Sequence, residues 1–239
     1  MISNDSVKQL ARTYQTNELN IRREYYQHLF LSYFYRQAGA QHLYFKGGTA
    51  LRIIYQSPRF SEDLDFDSSI HDVSTIEHIL IATLAEIERE GIQAEITESK
   101  KTTGGYLAAL LFVGDEYRVL LQIEISLRAG QKSGTVTSIF SDFVPAYSLV
   151  QLEPGLLIRG KIAALLDRKK PRDFYDLYFI LRANLLPVET REILVKVITI
   201  LQSTSINFEK ELKEFLPKSH WALIRDFPDA LRREIQKFV

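Results

Sequence analysis

Between Phe60 and Asp67 the chain places a carboxylate at every second position: Asp63, Asp65 and Asp67 alternate with Leu64 and Phe66. A period of two predicts a strand with one apolar and one acidic face. This restricts the fold strongly. A strand with a buried side must lie in a sheet, and like charges sharing its other side repel unless a cation sits among them. Carboxylates two residues apart stand roughly 7 Å apart at Cα, near enough for both to reach one hard cation. Taken alone, the same pattern also describes a half-buried strand with a solvated acidic face.

The residues just upstream weigh against that plainer description. A short strand expected over His42–Phe45 runs into Lys46-Gly47-Gly48-Thr49, and Ala50-Leu51-Arg52-Ile53-Ile54-Tyr55 continues with helical spacing. Bare glycine N–H groups at the start of a helix favour an anion, and the Thr49 hydroxyl adds a donor. A Gly-Gly pair more often marks only a tight turn. Followed by the acidic strand, however, it would deliver a phosphate and a divalent metal to one place.

Composition narrows the chemistry. The chain has 239 residues, 46% hydrophobic and 25% charged, which suits a globular protein with a real core. It has no apolar run of about 18 residues and no apolar signal core after Met1, so the expected location is the cytoplasm and no membrane is expected as a partner. The absence of Cys excludes disulfides and thiolate metal sites, and the five His show no zinc-ligand spacing. Thirty Lys and Arg balance thirty Asp and Glu, so any site for a polyanion has to be local.

Apolar and aromatic residues from Asn17 to Ala38 follow helical spacing and meet a stop at Gly39; their tyrosines are expected in the core. Ser74-Thr-Ile-Glu77 reads as a capping box opening a second helix that Gly91 closes. Strands are expected around Ile92–Ile96, over Tyr106–Val113 and over Tyr117–Leu127, the last two joined by a turn at Gly114-Asp115-Glu116. After a loop from Ala129 to Ser141 the pattern turns helical, with Pro154 and Pro171 as first-turn prolines and Pro187 opening a further segment. The expected architecture is α/β (α+β): a mixed sheet with flanking helices over residues 1–150, then an all-helical lobe over residues 151–239.

Two more clusters carry candidate chemistry. In the strand from Val119 to Arg128, Gln122, Glu124, Ser126 and Arg128 share one face, and Glu124 is the candidate third carboxylate for metal-assisted phosphoryl transfer. An exposed polar face accounts for it equally well. From Arg159 to Arg172, six basic residues (Arg159, Lys161, Arg168, Lys169, Lys170 and Arg172) face only Asp167, which makes this the local polyanion site. Asp173 and Asp176 follow on a helix begun by Pro171, where they could instead cap the helix or pair with the basic cluster.

These residues resemble the AbiEii/AbiGii-type toxins, a branch of the DNA polymerase β-like nucleotidyltransferase superfamily. The likeness rests on Lys46-Gly47-Gly48-Thr49-Ala50-Leu51, on Arg59-Phe60-Ser61-Glu62-Asp63-Leu64-Asp65-Phe66, whose Asp63-Leu64-Asp65 follows Thr49 after thirteen residues (50–62), and on Lys161, Arg168 and Lys170-Pro171-Arg172-Asp173-Phe174-Tyr175-Asp176-Leu177. No family signal is legible from about Leu185 onward. The resemblance implies a nucleotidyltransferase fold and Mg²⁺-dependent chemistry with an NTP substrate. It also implies a toxin of a toxin–antitoxin or abortive phage-infection system, with a cognate antitoxin as a further partner. Some members look like enzymes that add nucleotides to the 3′ end of tRNA and so block translation. Carried over by position, Lys46, Gly47, Gly48, Thr49, Arg59 and Ser61 would surround the nucleotide, and Asp63 and Asp65 would hold metal. Glu124 would join them by strand order, Lys161 would neutralise phosphate charge, and Asp173 would be the acidic position of the later motif. The same donor site would also serve transfer to a protein or a small molecule, or a non-catalytic nucleotide-binding interaction module.

Overall fold

The computed structural model describes residues 2–114, 117–130, 132–203 and 206–239. The chain divides into two units, one of Met1–Gln56 with Phe60–Glu153 and the other of Ser57–Arg59 with Pro154–Val239.

The first unit is built on a seven-stranded mixed sheet. Its strands are β1 (Leu43–Lys46), β2 (Leu64–Ser68), β3 (Gln93–Thr102), β4 (Gly105–Val113), β5 (Arg118–Ser126), β6 (Gly134–Ile139) and β7 (Tyr147–Leu152), in the order β3-β4-β5-β2-β1-β7-β6. Strand β2 pairs antiparallel with β1 and parallel with β5, which puts the acidic strand in the middle of the sheet. The helices are α1 (Asn4–Thr13), α2 (Glu18–Phe34), α3 (Gly47–Ile53) and α4 (Val73–Arg89).

Helix α2 is the core element of this unit. Its Tyr26 stacks on Phe112 of β4 with ring centroids 4.4 Å apart, and Phe34 packs on Phe66 of β2 at 5.2 Å. Leu64, Phe66, Ile123, Ile125, Ala108 and Leu110 are buried, giving the sheet one apolar side. Tyr25 is a core residue and Tyr33 is half-buried, as their spacing predicts, and Tyr26 is buried as well. Helix α2 also buries Glu24, Gln27 and His28, which reach the segments described below.

Several local expectations change. Strand β2 begins at Leu64 rather than Phe60, so Asp63 precedes it. Helix α4 is capped by Asp72, which accepts from Ser74 N and Thr75 N, whereas Glu77 of the expected capping box accepts from the Ser99 hydroxyl instead. The expected loop and helical switch after Ala129 contain β6 and β7, antiparallel partners at one side of the sheet. β6 is an edge strand of small and polar residues with Val136 mostly exposed, so its apolar alternation is weak. Residues 115 and 116 of the expected turn lie outside the described residues.

In the second unit, Pro154 opens α5 (Pro154–Arg168) and Pro171 stands at the first position of α6 (Pro171–Arg182). There Pro lacks an N–H that the helix would leave unpaired anyway. Helices α7 (Ile193–Ser203), α8 (Phe208–Phe215), α9 (Trp221–Arg225) and α10 (Phe227–Ile235) follow. Tyr175 stacks on Phe227 at 5.9 Å and Phe208 meets Phe227 at 4.8 Å, so the core of this unit forms around α6, α8 and α10. Among the described residues no helix is long and apolar enough to cross a membrane.

Candidate active site

Leu64, Asp65, Phe66 and Asp67 of β2 lie in register with Ile123, Glu124, Ile125 and Ser126 of β5. The apolar members of these pairs are buried, so Asp65, Glu124, Asp67 and Ser126 share the opposite face. Adjacent strands lie about 4.8 Å apart, so Asp65 and Glu124 stand side by side along the sheet. Glu124 is exposed and accepts from Gln122 Nε2 at 2.6 Å. On the other side of β2, Lys46 of β1 is level with Asp65.

The turn after β1 fits against this pair. Gly47 has φ +86°, and a Cβ added there would meet Asp65 Cγ at 2.7 Å and overlap its carboxylate oxygen. Glycine therefore serves two needs at once, a left-handed backbone and room for Asp65. Gly47 and Gly48 begin α3, with Gly47 against Asp65.

The backbone leading to Asp65 is held from two directions. Gln27 of α2, almost wholly buried, donates from Nε2 to the carbonyls of Ser61 at 2.9 Å and Glu62 at 3.0 Å. Thr49 is fully buried, and its hydroxyl donates to the Asp63 carbonyl. The Thr49 hydroxyl, expected on the triphosphate, is here engaged by the segment that leads into β2. Helix α3 is tied to α2 by Arg52, which binds both oxygens of Glu24 at 3.0 and 3.1 Å. Burial outweighs this guanidinium and pushes the Glu24 carboxyl upward.

Asp67, the third alternating acid, takes a different partner. Lys46 Nζ donates to its Oδ1 at 2.7 Å. Lys132 Nζ donates to the Ser68 carbonyl at 2.5 Å; partial burial lowers its pKa, Lys46 adds to this and Asp67 opposes it. Lysines thus bracket Asp67. Lys46, expected beside the nucleotide, has its ammonium on an aspartate.

In the second unit Arg59 forms a buried fork with Asp176, Nε to Oδ1 at 2.8 Å and an Nη to Oδ2 at 3.0 Å, and Lys161 Nζ reaches Oδ2 at 2.8 Å. Burial works against ionisation of Asp176, but Arg59 and Lys161 together hold its carboxyl below the usual range. Asp173 is buried at the start of α6, accepting from Lys170 N at 3.2 Å and Arg168 at 2.6 Å. Helix capping and pairing with the basic cluster, one of the two sequence readings, describe Asp173 as it stands. Arg172 faces Glu211 at 3.7 Å, whereas Lys169 and Lys170 are exposed.

Asp63, Asp65 and Glu124 offer hard carboxylate oxygens, the donor type that suits Mg²⁺. Among the described residues no three acidic or imidazole side chains close on one point. The expected ligand set Asp63, Asp65 and Glu124 thus does not form a three-carboxylate group around one point.

Residues 29–237 match the family described as nucleotidyl transferase AbiEii toxin, Type IV TA system. The chain belongs to the AbiEii family. The match runs through the region beyond Leu185, where no signal was legible by eye. Two crystal structures share the fold, each 18% identical. One is a Helicobacter pylori protein with a provisional nucleotidyltransferase assignment, TM-score 0.62, covering 93% of this chain and 97% of that one. The other is JHP933 from Helicobacter pylori, TM-score 0.61, covering 93% and 94%. No curated protein matches the chain. As an AbiEii protein, the chain is a nucleotidyltransferase of a toxin–antitoxin family.

The sequence missed Gln27, the Glu24–Arg52 pair and Lys132. Gln27 and Glu24 lie on a helix whose apolar spacing drew attention to its aromatics, and their polarity at buried positions was the available signal.

Proposed function

We propose that this AbiEii toxin transfers a nucleoside monophosphate from an NTP to an RNA acceptor, with Mg²⁺ on Asp63, Asp65 and Glu124 and pyrophosphate as the leaving group. The tRNA 3′ end is the expected acceptor, blocked translation the result, and the cytoplasm the place, where a cognate antitoxin would oppose it. The observation that carries the reading is the level pair Asp65 and Glu124 against the side-chain-free turn at Gly47.

Bound there, Mg²⁺ would neutralise the triphosphate and make the acceptor hydroxyl a better nucleophile. The chain's own groups would do the positioning. Gly47 and Gly48 let the triphosphate approach the backbone amides, and Thr49 and Gln27 fix the peptide that presents Asp63. Lys161, which donates to Asp176, is the cation assigned to neutralising phosphate charge. Arg59 and Asp173 support the helical unit, and exposed Lys169 and Lys170 favour a polyanionic acceptor.

The test is incubation with Mg²⁺, total tRNA and each α-³²P-labelled NTP in turn, beside Asp65→Ala, resolved on denaturing gels. Label in RNA that the variant loses is the expected result. Label on protein alone, or on neither, overturns the RNA acceptor.

A further inference from the structure

Strands β2 and β5 run side by side in the same direction, and at the end toward which they run lies an open pocket of about 350 Å³. Thr102, Thr103 and Gly104 from the β3–β4 turn line it, with Lys101 beside them, His71 after β2 and Arg128 after β5. Among the described residues no acidic side chain lines the pocket, although the chain as a whole carries as many acids as bases. Lys101, Arg128 and His71 are exposed.

Arg128 is set into the pocket by a missing side chain. A Cβ on Gly104 would come within 2.7 Å of Arg128 Nε, so the guanidinium lies where a larger residue would stand. Asp72 is the acid that feels Lys101, but its carboxylate is already held by the Thr75 hydroxyl at 2.7 Å and the amides of Thr75 and Ser74. A guanidinium fork, an ammonium and threonine hydroxyls make a receptor for a phosphate group, with the capping Asp72 the acid set against Lys101.

Position distinguishes which phosphate. Lys46 is level with Asp65 and Gly47 follows it, so the glycine turn lies toward the beginning of β2. The pocket lies past the other end, beyond Asp67 and Ser126, with Lys132 and Lys46 bracketing Asp67 on the way. Arg128 is four residues beyond Glu124, at most about 13 Å along the chain. Asp65 and Glu124 therefore stand between the turn suited to the donor triphosphate and this basic pocket.

We propose that the pocket formed by Lys101, Arg128 and the threonines of the β3–β4 turn holds a backbone phosphate of the acceptor RNA. This rests on the RNA reading of the same active site. The test compares wild type with Lys101→Ala/Arg128→Ala by fluorescence anisotropy of fluorescein-labelled total tRNA across a KCl series. Affinity for each NTP and for tripolyphosphate is measured in parallel. Expected are about a tenfold loss of RNA affinity and a log–log salt slope shallower by about 0.7, one phosphate's worth for single-stranded RNA. NTP and tripolyphosphate binding stay unchanged, and the charge-preserving Lys101→Arg/Arg128→Lys restores RNA binding. Equal RNA affinities with parallel salt lines overturn the pocket alone, and a matching loss of NTP or tripolyphosphate binding reassigns it to the donor and overturns it too. Wild type that binds no tRNA and labels only protein overturns the RNA acceptor, and the pocket's role with it.

Discussion

Asp65 on β2 and Glu124 on β5 stand level on neighbouring parallel strands, 59 positions apart in sequence (124 − 65) and adjacent in the sheet. If they share a cation, neither replaces the other. Asp65→Asn and Glu124→Gln should each lower nucleotidyl transfer by about a hundredfold or more, since this chemistry is mostly charge neutralisation and positioning. Thermal unfolding should stay near wild type, because each change removes one of two neighbouring negative charges. Turnover with labelled NTP checks it, and near-normal rates for either variant would remove that residue from the site.

Gly47→Ala places a methyl group against the Asp65 carboxylate on a left-handed backbone. A loss of about 1–3 kcal/mol in stability is expected, together with most of the activity. Combining it with Asp65→Gly should recover part of the stability and none of the activity. Urea denaturation of the four proteins in this cycle gives the coupling directly.

Thr49→Val keeps the buried shape and deletes the donor to the Asp63 carbonyl. The expected loss is about 1–3 kcal/mol, the penalty of an unsatisfied buried acceptor. Thr49→Ser retains the bond and should retain activity. A Thr49→Val protein with wild-type urea midpoint and weakened NTP binding would instead favour a direct phosphate contact.

Removing Asp176 leaves Arg59 and Lys161 cationic in a buried place. Asp176→Ala should cost about 3–5 kcal/mol, and adding Arg59→Met and Lys161→Met should recover much of it. Because the Asp176 carboxyl titrates below its ordinary range, this stability is present above about pH 4 and is lost as pH falls further. Calorimetry at neutral and acid pH separates the two effects.

His28 titrates in the opposite sense to an ordinary ion-paired histidine. Burial first and Arg52 second lower its pKa to about 4, against Asp142, while Nδ1 stands 3.0 Å from the Tyr147 hydroxyl. Between pH 6.5 and 4 the unfolded chain binds a proton that folded His28 refuses, so stability falls on acidification, by up to about 3 kcal/mol. Glu24, with its carboxyl pushed up, opposes this trend. In His28→Gln the decline should be shallower, as urea denaturation at pH 7, 5.5 and 4.5 would show.

Residues with local signals were readable in the sequence. Alternation marked Asp65 and Asp67, and the paired glycines marked the turn that gives Asp65 its room. Glu124 could be singled out by its strand, but its register against Asp65 depends on a pairing between distant segments. The Thr49 hydroxyl reads as a donor to phosphate because sequence shows its chemistry and not its burial. Arg59 and Asp176 gave no sign of each other across 117 positions. Strands β6 and β7 escaped notice because β6 alternates small and polar residues at a sheet edge, where packing demands little.

Three residues, Ser57–Arg59, group with the helical unit while their neighbours on both sides group with the sheet unit. During synthesis Arg59 leaves the ribosome 117 residues ahead of its carboxylate, so the helical unit cannot complete its interior from its own contiguous stretch. A C-terminal half exchanged between relatives would arrive without the guanidinium it was shaped around. Recombination within such a lineage should therefore leave crossovers between Arg59 and Asp176 rare, and the two halves should be inherited as one piece.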